Sequence, residues 1–186
     1  MRKIAIFASG NGSNFEAIVK AYKDGRLKAL PAVCVCDKPG AGVIARAERL
    51  GVPVIVASPK DFADKAAYET FLAEKLEESG IDYICLAGYM RLIGPVLLER
   101  FPDRILNIHP SLLPAFKGAH AIRDAFEYGV KVYGVTIHYV DETLDGGKII
   151  AQRAVPYEGR DIDELETLIH KTEHILYPEV INSLER

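Results

Sequence analysis

The feature that most limits this chain is a rhythm of short apolar runs alternating with stretches of helical period. Residues 3–8, 32–36, 53–56, 82–87 and 104–109 are runs of the length and composition of strands covered on both faces. Between them, residues 13–23 carry Phe15, Ile18, Val19 and Tyr22 at helical spacing, and Gly25 marks the exit. Residues 42–50 read as a short helix stopped by Gly51, and residues 95–101 as another. Ser58-Pro59-Lys60-Asp61 reads as the start of a helix that runs to Glu78 with Phe62, Tyr68, Phe71, Leu72 and Leu76 inward. A further helix is expected over 117–128, ended by Gly129. The rhythm then changes: 132–140 and 148–155 suit an antiparallel hairpin with a long loop, and 161–184 a final helix that Pro178 kinks or interrupts. The expected fold is a doubly wound, mostly parallel α/β sheet, with an antiparallel hairpin toward the C-terminal half and a long C-terminal helix.

At 186 residues the chain suits a single domain, and 49% hydrophobic with 26% charged residues is ordinary for a globular protein. No apolar run approaches the ~20 residues of a membrane span, and Ser9-Gly10-Asn11-Gly12 cuts the opening apolar run too short for a signal peptide. A formal charge of −3 with no basic stripe argues against a nucleic-acid partner. Cys34, Cys36 and Cys85 lie in apolar, strand-like runs, which predicts reduced, buried thiols and a cytoplasmic protein.

Four places carry chemistry. In the strand 104–109, Ile105, Asn107 and His109 share one face, with the two polar side chains roughly 7 Å apart. Pro110 ends the strand there, so an amide and an imidazole meet at a carboxyl end, where open α/β sheets bind ligands. Such a pair either satisfies backbone groups at the strand end or donates jointly to a developing oxyanion. Ser9-Gly10-Asn11-Gly12-Ser13-Asn14 joins a strand to a helix and is either an ordinary tight turn with a Ser or Asn cap or a set of free amides for one phosphate. Phe15 stands where a dinucleotide fingerprint needs glycine, and no P-loop lysine follows. Asp145-Gly146-Gly147 is an ordinary turn, or a flexible carboxylate that holds His109 protonated and accepts a proton through water. Residues 86–94, with Tyr89, Met90, Leu92 and Ile93, either line a slot for a flat heterocycle or pack on the next helix. His170, Glu173 and His174 have metal-like spacing with no third ligand evident, and no metal is expected; His120 and His138 read as structural.

Together these runs resemble the phosphoribosylglycinamide formyltransferase family, the folate-dependent enzymes of purine synthesis. The resemblance rests on Gly10-Asn11-Gly12-Ser13-Asn14, Leu86-Ala87-Gly88-Tyr89-Met90-Arg91, Asn107-Ile108-His109-Pro110-Ser111-Leu112-Leu113-Pro114 and Leu144-Asp145-Gly146-Gly147. It covers essentially the whole chain, although the His-Pro-Ser-Leu-Leu-Pro run belongs to the wider formyltransferase superfamily. The resemblance implies a single Rossmann-like formyltransferase domain over 1–186, with a phosphate-binding half (about 1–100) and a catalytic and folate-loop half (about 101–186). It implies formyl transfer from 10-formyltetrahydrofolate, as cosubstrate, to the amine of glycinamide ribonucleotide. Asn107, His109 and Asp145 would be catalytic, and the amides of Gly12, Ser13 and Asn14 with Glu173 would hold the ribonucleotide. Met90, Arg91, Leu92 and Ile93, with Asn107, would line the folate slot, and the 140–145 loop would close it. Lys65 stands where the family carries an arginine that meets the folate tail, and a lysine keeps the charge without the fork. His170 stands where some relatives carry a lysine. A methionyl-tRNA formyltransferase would bring an added carboxyl-terminal domain and a basic surface, and a formyltetrahydrofolate hydrolase an added amino-terminal domain; neither is expected here. A non-catalytic folate or nucleotide sensor is disfavoured by the full trio. The partners implied are the two small molecules, with no nucleic acid or membrane, for a monomer or homodimer.

Overall fold

The computed structural model describes residues 1–184. Seven strands, β1 (Lys3–Ala8), β2 (Leu30–Cys36), β3 (Val54–Val56), β4 (Tyr83–Leu86), β5 (Ile105–His109), β6 (Val132–Tyr139) and β7 (Ile149–Pro156), form one sheet in the order β3-β2-β1-β4-β5-β6-β7. The pairings from β3 to β5 are parallel, whereas β5–β6 and β6–β7 are antiparallel, giving the mixed edge expected. The chain steps outward from β1 to β3 and then returns to β4 on the other side of β1. That reversal opens a crevice beyond the carboxyl ends of β1 and β4, the place where such sheets bind ligands.

Pleat alternation divides the core. Ile4, Ile6, Cys34, Cys36, Cys85, Leu106 and Ile108 pack with Phe15 and Ile18 of α1 (Ser13–Lys23) and with Leu165, Ile169 and Tyr177 of α6 (Ile162–Ser183). Phe7, Val35, Ile84, Leu86 and Ile105 pack on the opposite face with Tyr68, Leu72 and Leu76 of α3 (Lys65–Glu78) and Leu97 of α4 (Pro95–Arg100). The remaining helices are α2 (Gly42–Leu50) and α5 (Ala121–Tyr128). All three cysteines are free and buried, and burial pushes the Cys34 and Cys85 thiols up to about 12.

Two helix starts are corrected. The helix expected from Ser58 starts at Lys65, because the Asp64 carboxylate accepts the Ala67 amide (2.8 Å) and supplies the true cap; Pro59–Asp61 is a separate 3-10 turn. The helix expected from Lys117 starts at Ala121, since the preceding segment is spent on contacts with the candidate site. α6 runs on through Pro178, which is buried, so the expected final helix does not end there.

Glu16 ties α1 to α2. It is only 8% exposed and pairs with Lys20 (2.6 Å), Arg46 and Arg49 (3.0 Å). The Lys20 hydrogen bond, then that of Arg46, holds its carboxyl down at about 2. A depressed carboxyl contributes stability that is complete above the usual 4.5 and lost as pH falls toward 2. Thermal unfolding should therefore show the gap between the wild type and Glu16→Gln closing over that pH interval. A gap that stays constant would remove Glu16 from the account.

Candidate active site

The turn after β1 meets two helix starts. Gly12 caps α1 in the left-handed conformation (φ 82°), with no side chain capping the first-turn amides. A Cβ at Gly12 would stand 2.6 Å from the Val43 side chain, so glycine is required both by φ and by the close approach of α2. Arg46, already paired with Glu16, also donates to Asn11 Oδ1 (3.0 Å) and steadies the turn from outside. The open amides border a cavity of about 650 Å³, lined also by Gly88, Met90, Pro110, His170 and Glu173. Glu173 is buried and accepts from Asn14 Nδ2 (3.2 Å). His170 Nδ1 lies 2.8 Å from the same Glu173 oxygen, a bond that raises the His170 pKa. Asn14 Oδ1 and His174 Nε2, both buried beside this cavity, have no hydrogen-bond partner among the described residues. Orphaned polar atoms of this kind are what a polar ligand or ordered water satisfies.

A second, narrower cavity of about 90 Å³ opens on the other side of the turn that follows β4. It is lined by Arg91, Leu92, Ile93, Asn107, His138 and the loop 140–145. Asp141 accepts from the Thr143 hydroxyl (2.6 Å) and amide (2.8 Å), which stiffens that loop and lowers the Asp141 pKa. A hollow at the opposite edge, lined by Met1, Arg2, Asp82, Tyr83 and Arg104, lies at the amino ends of the strands, away from both cavities.

The strand end expected to carry chemistry lies between the two cavities. The antiparallel register sets Asn107 opposite His138 and His109 opposite Thr136. His138 Nδ1 lies 2.8 Å from the Tyr139 carbonyl, so Nδ1 carries the proton and Nε2 presents a lone pair. Asn107 Nδ2 donates to that lone pair at 3.2 Å, which fixes the amide and leaves its second N–H free for a ligand. Burial lowers the His138 pKa and keeps this ring neutral. His109, 5% exposed, donates from Nε2 to the Phe116 carbonyl (2.8 Å). Its Nδ1 faces Asp145 Oδ1 at 3.6 Å, too long for a hydrogen bond and too short for an intervening water. Asp145 itself sits at positive φ (49°), held by the Gly118 amide on its other oxygen (2.8 Å). Thr136 accepts from the Leu113 amide (3.1 Å) and donates to the Ser111 carbonyl (2.7 Å), which fastens the run after His109 to β6.

The fold thus brings Asn107, His109 and Asp145 together and sets Gly12, Ser13, Asn14 and Glu173 around one cavity. Arg91, Leu92 and Ile93 line the second cavity, whereas Met90 lines the first. Lys65 lines neither; it lies exposed at the start of α3, close to Gly94. His138, read from the sequence as structural, is the acceptor that orients Asn107. The strand that carries it was expected only to pair with 148–155 in a hairpin, so nothing local set His138 beside Asn107. The tautomer can be checked directly. Imidazole 15N NMR should show a neutral His138 with its proton on Nδ1 at pH 6.5, titrating only at lower pH. A ring protonated at that pH, or carrying its proton on Nε2, would contradict the orientation given to Asn107.

Residues 2–181 match the family described as formyl transferase. The phosphoribosylglycinamide formyltransferase of Bacillus subtilis (strain 168) is 52% identical over 99% of this chain and 95% of its own length. The trifunctional purine biosynthetic protein adenosine-3 of Drosophila melanogaster is 39% identical over 98% of this chain, which spans 14% of that longer protein. The crystal structure of glycinamide ribonucleotide transformylase 1 from Geobacillus kaustophilus superposes with a TM-score of 0.95 at 55% identity, covering 98% of this chain and 97% of that one. The sheet order, the cavities beyond its carboxyl edge and these matches agree: the chain belongs to the formyl transferase family.

Proposed function

We propose that this enzyme transfers the formyl group of 10-formyltetrahydrofolate to the amine of 5′-phosphoribosylglycinamide, a step of purine synthesis. The observation that carries the reading is the convergence of Asn107, His109 and Asp145 where the cavity beside the Gly12–Asn14 amides meets a narrow slot of mixed polar and apolar lining. The ribonucleotide occupies the larger cavity, its 5′-phosphate on the amides of Gly12, Ser13 and Asn14 and its ribose hydroxyls on Glu173. The pterin enters beside Arg91, Leu92, Ile93 and Asn107. At about 90 Å³ that slot is smaller than the ~300 Å³ minimum usual for such ligands, so the 140–145 loop moves outward to admit it. Met90 then walls the ribonucleotide side, and Lys65 meets the folate tail from outside as a point charge. Residues of both halves of the single domain line each cavity, so binding the two substrates joins them.

The glycinamide nitrogen attacks the formyl carbon, forming a C–N bond and a tetrahedral oxyanion. The free N–H of Asn107 and the Nδ1–H of His109 donate to that oxygen, and Asp145 balances the positive ring. As the bond to N10 of the folate breaks, the proton released by the amine travels to N10 with Asp145 assisting through water. The chemistry needs neither a covalent bond between substrate and enzyme nor a metal. A cytoplasmic location is supported by the three unpaired, buried thiols and by the lack, among the described residues, of a helix long and apolar enough to cross a membrane.

Incubation with 10-formyltetrahydrofolate, with and without glycinamide ribonucleotide, followed by folate absorbance, tests the activity. Product is expected only with the ribonucleotide, and product without it would instead assign a hydrolase. His109→Ala and Asp145→Ala should each lower kcat by roughly 10²–10³ while remaining folded. Near-normal turnover in either would overturn the assignment.

A further inference from the structure

The turn that separates the two cavities is fastened by a carboxylate that touches neither of them. Asp37 follows β2 and is only 5% exposed. Its Oδ1 accepts from the Ser9 hydroxyl (2.6 Å), and its Oδ2 from Arg91 Nε (2.6 Å). Ser9 Oγ, having donated to Asp37, accepts the Met90 amide (2.9 Å), and the Ser9 amide donates to the Gly88 carbonyl (3.0 Å). The residues beyond β1, β2 and β4 are thereby joined at the switch point of the sheet. The network has two arms: one ends on Arg91, which lines the narrow slot, and the other on Met90, which lines the phosphate-side cavity. A buried carboxylate paired with a half-exposed guanidinium is a poor device for stability, because its desolvation offsets its attraction. It is a good device for fixing geometry. The neighbouring Tyr89 is held separately, edge-on against Phe7 and bonded to the Tyr68 hydroxyl (3.0 Å), so Asp37 is left to set the exposed part of the turn.

We propose that Asp37 is a positioning residue for the folate side of the reaction, acting through Arg91 and the 88–91 turn. This rests on the reading of the narrow slot as the folate site. Asp37→Asn keeps an acceptor for Ser9 but turns an amide donor toward the Arg91 donor, so it severs one arm alone. Steady-state kinetics should show KM for 10-formyltetrahydrofolate rising about tenfold, with KM for the ribonucleotide and kcat moving less than about threefold. In an Arg91→Gln background the same change should have little further effect, because its means of action is already gone. Ser9→Ala severs the other arm and should raise the ribonucleotide KM instead. An equal loss in kcat, an unchanged folate KM, additive effects with Arg91→Gln, or a variant that no longer folds would each overturn the role. Failure of the wild type to consume 10-formyltetrahydrofolate would instead overturn the functional reading, before any variant is compared.

Discussion

The site depends on one antiparallel pairing. Had β6 joined β5 in parallel, as the earlier strands join one another, His138 would not stand opposite Asn107. With the observed register, the Tyr139 carbonyl claims the Nδ1 proton of His138, and the exposed lone pair claims one proton of the Asn107 amide. A side chain that would otherwise rotate freely between donor and acceptor is thus committed to donating. Preorganised donors of this kind lower a barrier because no reorientation is needed when charge develops.

The loops then complete what the strands begin. The segment after His109 is pinned by Thr136, and Gln152 on β7 donates to the Leu113 carbonyl (2.9 Å), so the hairpin that orients Asn107 also sets the path of residues 110–118. That path returns the Phe116 carbonyl to His109 and the Gly118 amide to Asp145. The imidazole and the carboxylate are therefore fixed by the same stretch of backbone. On the other side, Ser9 and Asp37 hold the turn that divides the two cavities. The three proposed catalytic groups and the walls of the two cavities rest on hydrogen bonds between strand ends and loops, above the packed core.

Much of this was legible in the sequence, for reasons that are local. The parallel strands read as continuous apolar runs because both faces are covered, and the pairing of Asn107 with His109 on one face follows from pleat alternation alone. What stayed hidden was non-local. His138 meets Asn107 only through register, which no alternation fixes across a long connection. Asp37 carries no local signal, because its partners Ser9 and Arg91 lie 28 and 54 positions away. The misplaced start of α3 reflects two competing caps, Ser58 before Pro59 and Asp64 before Lys65, of which the second makes the hydrogen bond. Met90 and Arg91 are neighbours, yet they face different cavities, a division that a single apolar run does not announce.

The most direct test of the central claim is a crystal structure of the chain with a bisubstrate analogue bearing a tetrahedral carbinol at the formyl position. The account places the carbinol oxygen about 2.7–3.1 Å from both Asn107 Nδ2 and His109 Nδ1, with Asn107 still bonded to His138. An oxygen more than about 3.5 Å from both nitrogens, or an Asn107 amide turned away from His138, would contradict it.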